Sequence, residues 1–221
     1  MIAFGILVQI PTFDIVIFPS MSKNTIDPRT TILIIMILAA AAFRVLQASN
    51  SFSIFTNLTP AGAMALFGGT YFRNRWKAML IPVAAMWISD IFINRLLYFD
   101  HWVFFYSGSW LVYGTFALMA VIGFFISKVN LTTVAIAGVG AALLHWVVSD
   151  FGVWLGGTDF TTGLPFTKDW NGLVRCYTFA LPFLRNMLIG NLLFCGVMFG
   201  SFEWMQRQFP SLAPERVRSQ D

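Results

Sequence analysis

Charge is what this sequence has least of. Asp, Glu, Lys and Arg together make up 11% of its 221 residues, against roughly 25% in an ordinary soluble domain. A soluble fold of this size could not hide 57% hydrophobic and 17% aromatic residues in one small core. Cysteine is nearly as scarce. Two residues, Cys176 and Cys195, exclude a disulfide framework. His101 and His145, the two histidines, have no Cys/His spacing around them, so no metal centre is assigned. The basic excess is small, +4 despite a pI near 9.3, and forms no stripe suited to nucleic acid, which is excluded as a partner. The Gly-x4-Gly-Lys-Ser/Thr pattern of a phosphate loop is absent, and Phe67-Gly68-Gly69-Thr70 does not replace it. No nucleophile stands with a base. No catalytic residue is assigned, no cofactor is implied, and the chain does not read as an enzyme.

What is present is long apolar runs, with a mean hydropathy of +0.73. A hydrocarbon core of about 30 Å needs about 20 apolar residues per helix. Six segments qualify as spans: residues 30–46, a short 59–72, 76–93, 110–127, 131–151 and 177–204. The runs are continuous rather than alternating, so helices rather than a barrel satisfy the backbone in lipid. The expected fold is therefore all-α, a polytopic six-helix bundle. Residues 1–29 form an N-terminal extension, 30–204 the transmembrane domain and 205–221 a C-terminal tail.

Orientation follows from the basic residues. Nine (Lys23, Arg29, Arg73, Arg75, Lys77, Lys128, Arg207, Arg216 and Arg218) fall on one side, against three (Arg95, Lys168 and Arg175) on the other. That places both termini in the cytoplasm, as an even number of spans requires. The cytoplasmic connections are short. The outer ones, residues 47–58, 94–109 and 152–176, are long, so a binding site is expected to open outward. Residues 1–20 are apolar but broken by Pro11 and Asp14, and lack the basic start of a signal peptide. They read as an upstream extension or an interfacial helix. The alternative, a seventh span, would put the N-terminus outside.

Thr59-Pro60 is a cap followed by a favoured first helical residue. Small residues recur at four-residue spacing in three spans: Ala61, Ala65 and Gly69; Ala137 with Ala141 and Gly138 with Ala142; Gly196 with Gly200. Such stripes let helices approach closely in lipid. They serve packing within the chain or docking onto a partner membrane subunit.

Arg44, Asp90, His145, Asp150 and Arg185 fall within or at the ends of spans, with Asn186 and Asn191 beside them. Ionisable groups at such depth face the interior and pair. Two acids and two arginines balance as internal charge partners, and three roles fit them: a staple of helix register, a ligand pocket or a proton relay. Cys176 and Cys195, 19 residues apart on one helix, would stand about 28 Å apart and cannot bridge. The outer loops carry Trp102, Phe104, Phe105, Tyr106 and Trp110, then Trp154, Phe160, Phe166 and Trp170 among glycines. They read as an interfacial aromatic belt or a lid over a flat ligand.

The run Asn57-Leu-Thr-Pro-Ala-Gly-Ala-Met-Ala-Leu-Phe-Gly-Gly69 resembles the Asn-x-Thr-Pro-x-x-Ala-x-x-Leu-Phe-Gly-Gly hallmark of an uncharacterised bacterial membrane-protein family, a domain of unknown function. Further matches are Pro82-Val-Ala-Ala-Met-Trp-Ile-Ser-Asp90, Phe151-Gly-Val-Trp154, and Gly172-Leu-Val-Arg-Cys-Tyr177 leading to Leu181-Pro-Phe183. Asp150 departs from the pattern, which has an Asn in its place. The layout is similar to the substrate-binding S components of energy-coupling factor vitamin transporters. This resemblance implies a multi-pass protein of the bacterial cytoplasmic membrane that captures a small molecule under its outer loops. It also implies association with a transmembrane coupling subunit and ATPases. Asn57, Asp90, Trp154, Trp170 and Tyr177 are the expected ligand-binding residues, with Arg44, Asp150 and Arg185 as charge partners. The alternative function is a structural or assembly subunit of a larger membrane complex.

Overall fold

The computed structural model describes residues 27–49 and 58–213, so Asn57 and the whole question of residues 1–20 lie outside the described residues. Six α-helices follow in order: α1 Pro28–Ser49, α2 Ala61–Tyr71, α3 Arg75–Ile93, α4 Ser109–Phe124, α5 Leu131–Gly156 and α6 Trp170–Gln208. A π-helical turn, Asn94–Tyr98, extends α3, and a 3₁₀ turn, Pro210–Leu212, follows α6. Four of the helices, α1, α3 with its extension, α5 and α6, are long and apolar enough to cross a membrane. The other two fall short of the expected spans. With 16 residues, α4 rises about 24 Å, and α2, with 11, about 16 Å, half of a hydrocarbon core.

Short polar side chains start most of the helices. Asn74 Oδ1 accepts from the backbone N–H of Trp76 and Lys77 at 2.9 and 3.2 Å. Asn130 Oδ1 accepts from Thr133 N–H at 2.8 Å, and Asp169 Oδ1 from Gly172 N–H at 2.8 Å. Thr59 Oγ1 accepts from Ala61 N–H at 3.4 Å, with Pro60 already at helical φ and ψ. Each supplies one of the acceptors that a helix N-terminus needs.

The bundle is built around α2. Every one of its residues except Thr70 is buried, and it touches α1, α3, α4, α5 and α6. Its glycines make this possible. A Cβ on Gly69 would stand 2.0 Å from the Ala120 carbonyl oxygen, and one on Gly123 of α4 would stand 2.5 Å from the Leu66 carbonyl oxygen. Gly68 likewise seats the ring of Pro82 from α3. On α5, Gly138 accepts a hydrogen bond at its carbonyl from Asn191 Nδ2 of α6 at 3.1 Å. The stripes of α2 and α5 thus pack inside the chain. The α6 stripe finds no such partner: Gly196 and Gly200 are exposed, with nothing near their Cβ positions among the described residues.

At the end of α2 away from its cap, Phe67, Tyr71, Phe199 and Phe202 form an edge-on aromatic cluster with centroids 4.5–5.5 Å apart. Arg29 of α1 lies over Tyr71 and Phe202 and donates to Gln206 Oε1 at 2.9 Å and the Leu212 carbonyl at 2.5 Å. Tyr71 OH donates to Glu203 Oε1 at 2.5 Å. This network closes the end of the bundle that carries the short connections.

The other end is more helical than the apolar runs suggest. α5 continues to Gly156 and α6 begins at Trp170, leaving connections of residues 99–108 and 157–169. Trp154 and Trp170, expected in a loop, are therefore helical. Most of the aromatic residues point outward, Trp102, Phe104, Phe105, Trp110, Phe160 and Trp170 among them. Trp87 Nε1 donates to the Phe104 carbonyl at 2.9 Å and its ring stacks on Phe105, which folds the 99–108 connection back onto α3.

Because the Gly69 contact is with backbone, Gly69→Ala should cost about 1–3 kcal/mol, the range for overpacking. Gly140→Ala and Gly196→Ala, which meet open space, should stay within about 0.5 kcal/mol of the parent. Thermal unfolding in one detergent compares all three.

Candidate functional site

The charged residues of α1 and α3 meet near the end that carries the longer connections. Met86, Ser89 and Asp90 occupy one buried face of α3, as three- and four-residue spacing dictates. Arg44 Nη1 lies 2.5 Å from Asp90 Oδ1 and donates to Ser89 Oγ at 2.7 Å. Ser89 OH in turn donates to the Met86 carbonyl at 2.7 Å. Tyr113 OH of α4 donates to the second carboxylate oxygen at 3.1 Å. Tyr106, from the 99–108 connection, stands against Tyr113. Burial, reinforced by the charge of Asp90, pushes its phenol up to about 12, so it stays a neutral hydroxyl. Asp90 is 5% exposed, yet both its oxygens are occupied, as a buried carboxylate requires.

Beside this cluster lies a cleft of about 300 Å³ to which every helix contributes. Its floor is the start of α2, Thr59 and Ala61. Arg44 and Met86 form one wall with Tyr106, Val112 and Phe116, while Phe183, Leu184 and Met187 of α6 close the apolar side. The remaining wall belongs to α5. His145, Trp146, Ser149 and Asp150 line it together, because the pairs 145/149 and 146/150 each sit one turn apart. Ser149 Oγ is 3.3 Å from the His145 ring nitrogens, and the His145 ring packs on Phe116 with centroids 5.0 Å apart. Trp146 meets Tyr177 edge-on at 4.9 Å, and its buried Nε1 has no hydrogen-bond partner among the described residues. The Asp150 backbone carbonyl accepts weakly from the Cys176 thiol at 3.5 Å. Its carboxylate has no ion pair and no side-chain donor among the described residues. A larger hollow of about 430 Å³ between α1 and α3 offers only Ser89 among apolar side chains. Convergent polar groups, rather than size, select the first.

The expected site residues divide. Arg44 lines the cleft and Asp90 holds it from behind. Asp150 lines the cleft too, but it forms no ion pair among the described residues, because the Arg44 that shares the lining is paired with Asp90. Arg185 forms no ion pair or hydrogen bond among the described residues and is exposed on α6, because Leu184 and Met187 take the cleft-facing side of that turn. Trp154 is a staple: its Nε1 donates to the Thr167 carbonyl at 2.9 Å, while the Lys168 ammonium donates to its carbonyl and covers its ring. Trp170 and Tyr177 line a shallow outer groove with Trp146, which separates that groove from the cleft. Tyr177 OH is committed to the Val147 carbonyl at 2.6 Å. Both cysteines are free and buried on α6. Sequence reasoning missed Trp146, Ser149, Tyr113 and Ser89, and named Tyr106 only among the aromatics of the outer loops. The i, i+4 relation of Trp146 to Asp150 and of Ser149 to His145 was the available signal.

The 157–169 connection contributes no lining residue and is tied down rather than lid-like. Thr158 and Pro165 form an isolated antiparallel bridge, with Gly163 at φ 70° in the turn. Asp159 accepts from Thr161 N–H and OH at 2.8 and 2.7 Å and pairs with Arg175 Nε of α6 at 2.5 Å. These partners, Thr161 first and then Arg175, hold its carboxyl below the usual range. A depressed carboxyl stabilises the turn above its unfolded value of about 3.9. That contribution is lost as pH falls through the lower folded value.

Two outcomes follow. Amide exchange across residues 158–169 should be slow at pH 6 and accelerate, relative to the rest of the protein, only in acid below about pH 4. Asp159→Asn should exchange fast at both, with that acid-dependent step gone. Arg44→Met or Asp90→Leu alone, each stranding a buried charge, should cost about 3–5 kcal/mol. The double variant should cost clearly less than their sum, as a double-mutant cycle of thermal stability would measure.

No curated protein and no solved structure matches this chain. The model of a family described only as a family of unknown function (DUF6580) matches residues 24–212, which takes in all six helices and every residue of the cleft. The chain belongs to that family.

Proposed function

We propose that this protein is a membrane-embedded binding component for a small solute, taken up at the end of the bundle where α2 begins. On this reading the chain makes six passes, with α4 as a short span and α2 as a buried half-span. The longer connections face outward and both termini lie in the cytoplasm of a bacterial cell. On the same reading the layout resembles that of a transporter S component, and energy would come from a coupling subunit with ATPases. The observation that carries the reading is the cleft: about 300 Å³, at the lower bound of small-molecule sites. Its lining is mostly apolar and aromatic, with Arg44, His145, Ser149 and Asp150 converging on it.

Native mass spectrometry of protein extracted gently from its own membranes tests this. A bound small molecule should be carried by the parent and lost in Ser149→Trp, whose indole fills the cleft, with little change in melting temperature. Equal occupancy in both proteins, or none in either, overturns the reading.

A second reading, a structural or assembly subunit of a larger membrane complex, is favoured by one observation. The Gly196 and Gly200 face of α6 has no partner side chain near it among the described residues. Copurification in mild detergent separates the two: ATPase subunits accompany a transport component, whereas a stoichiometric unrelated complex accompanies an assembly factor.

A further inference from the structure

The charges around the cleft do not balance, and their sign points to a ligand class. Arg44 is matched by Asp90, with Ser89 accepting from the same guanidinium nitrogen and Tyr113 donating to the far carboxylate oxygen. That pair is neutral. Asp150 is half-buried on the α5 wall and has neither a base nor a side-chain donor on its carboxylate among the described residues. Among the described residues the one cation on the facing walls is Arg44, and it is already paired with Asp90. α4 contributes Val112 and Phe116, and α6 contributes Phe183, Leu184 and Met187. Lys168 is occupied by the Trp154 carbonyl and ring, and Arg175 by Asp159 and Thr161. The start of α2 at the floor supplies at most about half a positive charge, and Thr59 Oγ1 already answers one of its N–H groups. One negative charge is left over.

We infer that the solute is an organic cation, a compact ammonium on an apolar or aromatic body, with its charged head on the Asp150 carboxylate. The inference rests on the cleft being the binding site. A carboxylate withdrawn from water without a partner is costly, and a ligand ammonium removes that mismatch with a charge-assisted hydrogen bond. Trp146, Phe116 and Tyr106 in the same lining supply aromatic faces, which attract a cation and exclude an anion. An anionic solute would set a second negative charge in the same small space.

Three probes of one shape separate the possibilities: phenethylammonium, 2-phenylethanol and phenylacetate. Each is titrated by calorimetry into the full-length protein in lipid nanodiscs, with empty nanodiscs subtracted. Phenethylammonium should bind at least about tenfold more tightly than the alcohol, the order of one charge-assisted contact, and phenylacetate should bind weakest. Asp150→Asn should bring phenethylammonium down to the affinity of the alcohol and leave the alcohol unchanged, while Asp150→Glu should keep the preference. Equal binding of ammonium and alcohol, or tightest binding of phenylacetate, overturns the cation assignment and leaves the cleft as a site. No saturable binding of any probe to any of the three proteins overturns the cleft as well.

Discussion

The close approach of the α2 and α4 backbones at Gly69, Ala120 and Gly123 decides the shape of everything else. In lipid there is little hydrophobic gain from bringing helices together, so association relies on dispersion contacts between surfaces that fit. Glycine lets carbonyl oxygens come within reach of the neighbouring Cα atoms, and α2 is drawn fully inside the bundle. Once a helix of only 11 residues occupies the middle, it cannot fill the bundle from end to end. The space left beyond its first turn is the cleft. The floor at Thr59 and Ala61 and the packing at Gly69 are consequences of the same short element.

The two ends of the bundle answer different needs. At one, Arg29, Tyr71, Glu203 and Gln206 form a network in which the guanidinium has ring faces and oxygens around it. At the other, Arg44 and Asp90 neutralise each other and leave Asp150 alone. Buried ion pairs contribute little net stability, and the Arg44–Asp90 pair is better understood as fixing the azimuths of α1 and α3. Its position beside the cleft also keeps a polar surface there while the first charge of each sign cancels.

Much of the architecture was legible. Helical rather than alternating apolar runs, the position of α3, the start of α5 and the small-residue stripes of α2 and α5 follow from composition and spacing. The ends of α5 and α6 did not. A rule based on hydrocarbon thickness stops a helix where apolar residues stop, whereas hydrogen bonding continues it to the next cap. For α6 the Asp169 side chain on Gly172 N–H marks the true start. The pairing of charges was legible as a balance of two and two but not as a geometry. Asp150 and Arg185 sit at compatible depths, yet one faces the cleft and the other faces out. Depth is encoded in sequence position, whereas azimuth depends on which neighbours a helix acquires. The same limit explains why the α6 stripe looked like those of α2 and α5 and yet packs on nothing among the described residues.

Pro182 inside α6 has no amide hydrogen, so the Thr178 carbonyl four residues earlier loses its helical donor. One turn further on, the exposed Arg185 side chain carries a charge on the outside of the bundle. A charged side chain is costly in hydrocarbon, and in a bilayer the headgroup phosphates and their water would satisfy both it and the freed carbonyl. That would fix a waterline on α6 near Thr178–Arg185, with about 35 Å of helix running from there to Gln208. Phe183, Leu184 and Met187 of the cleft lie at that level, so a solute would enter from the wet boundary of the membrane without crossing its oily interior.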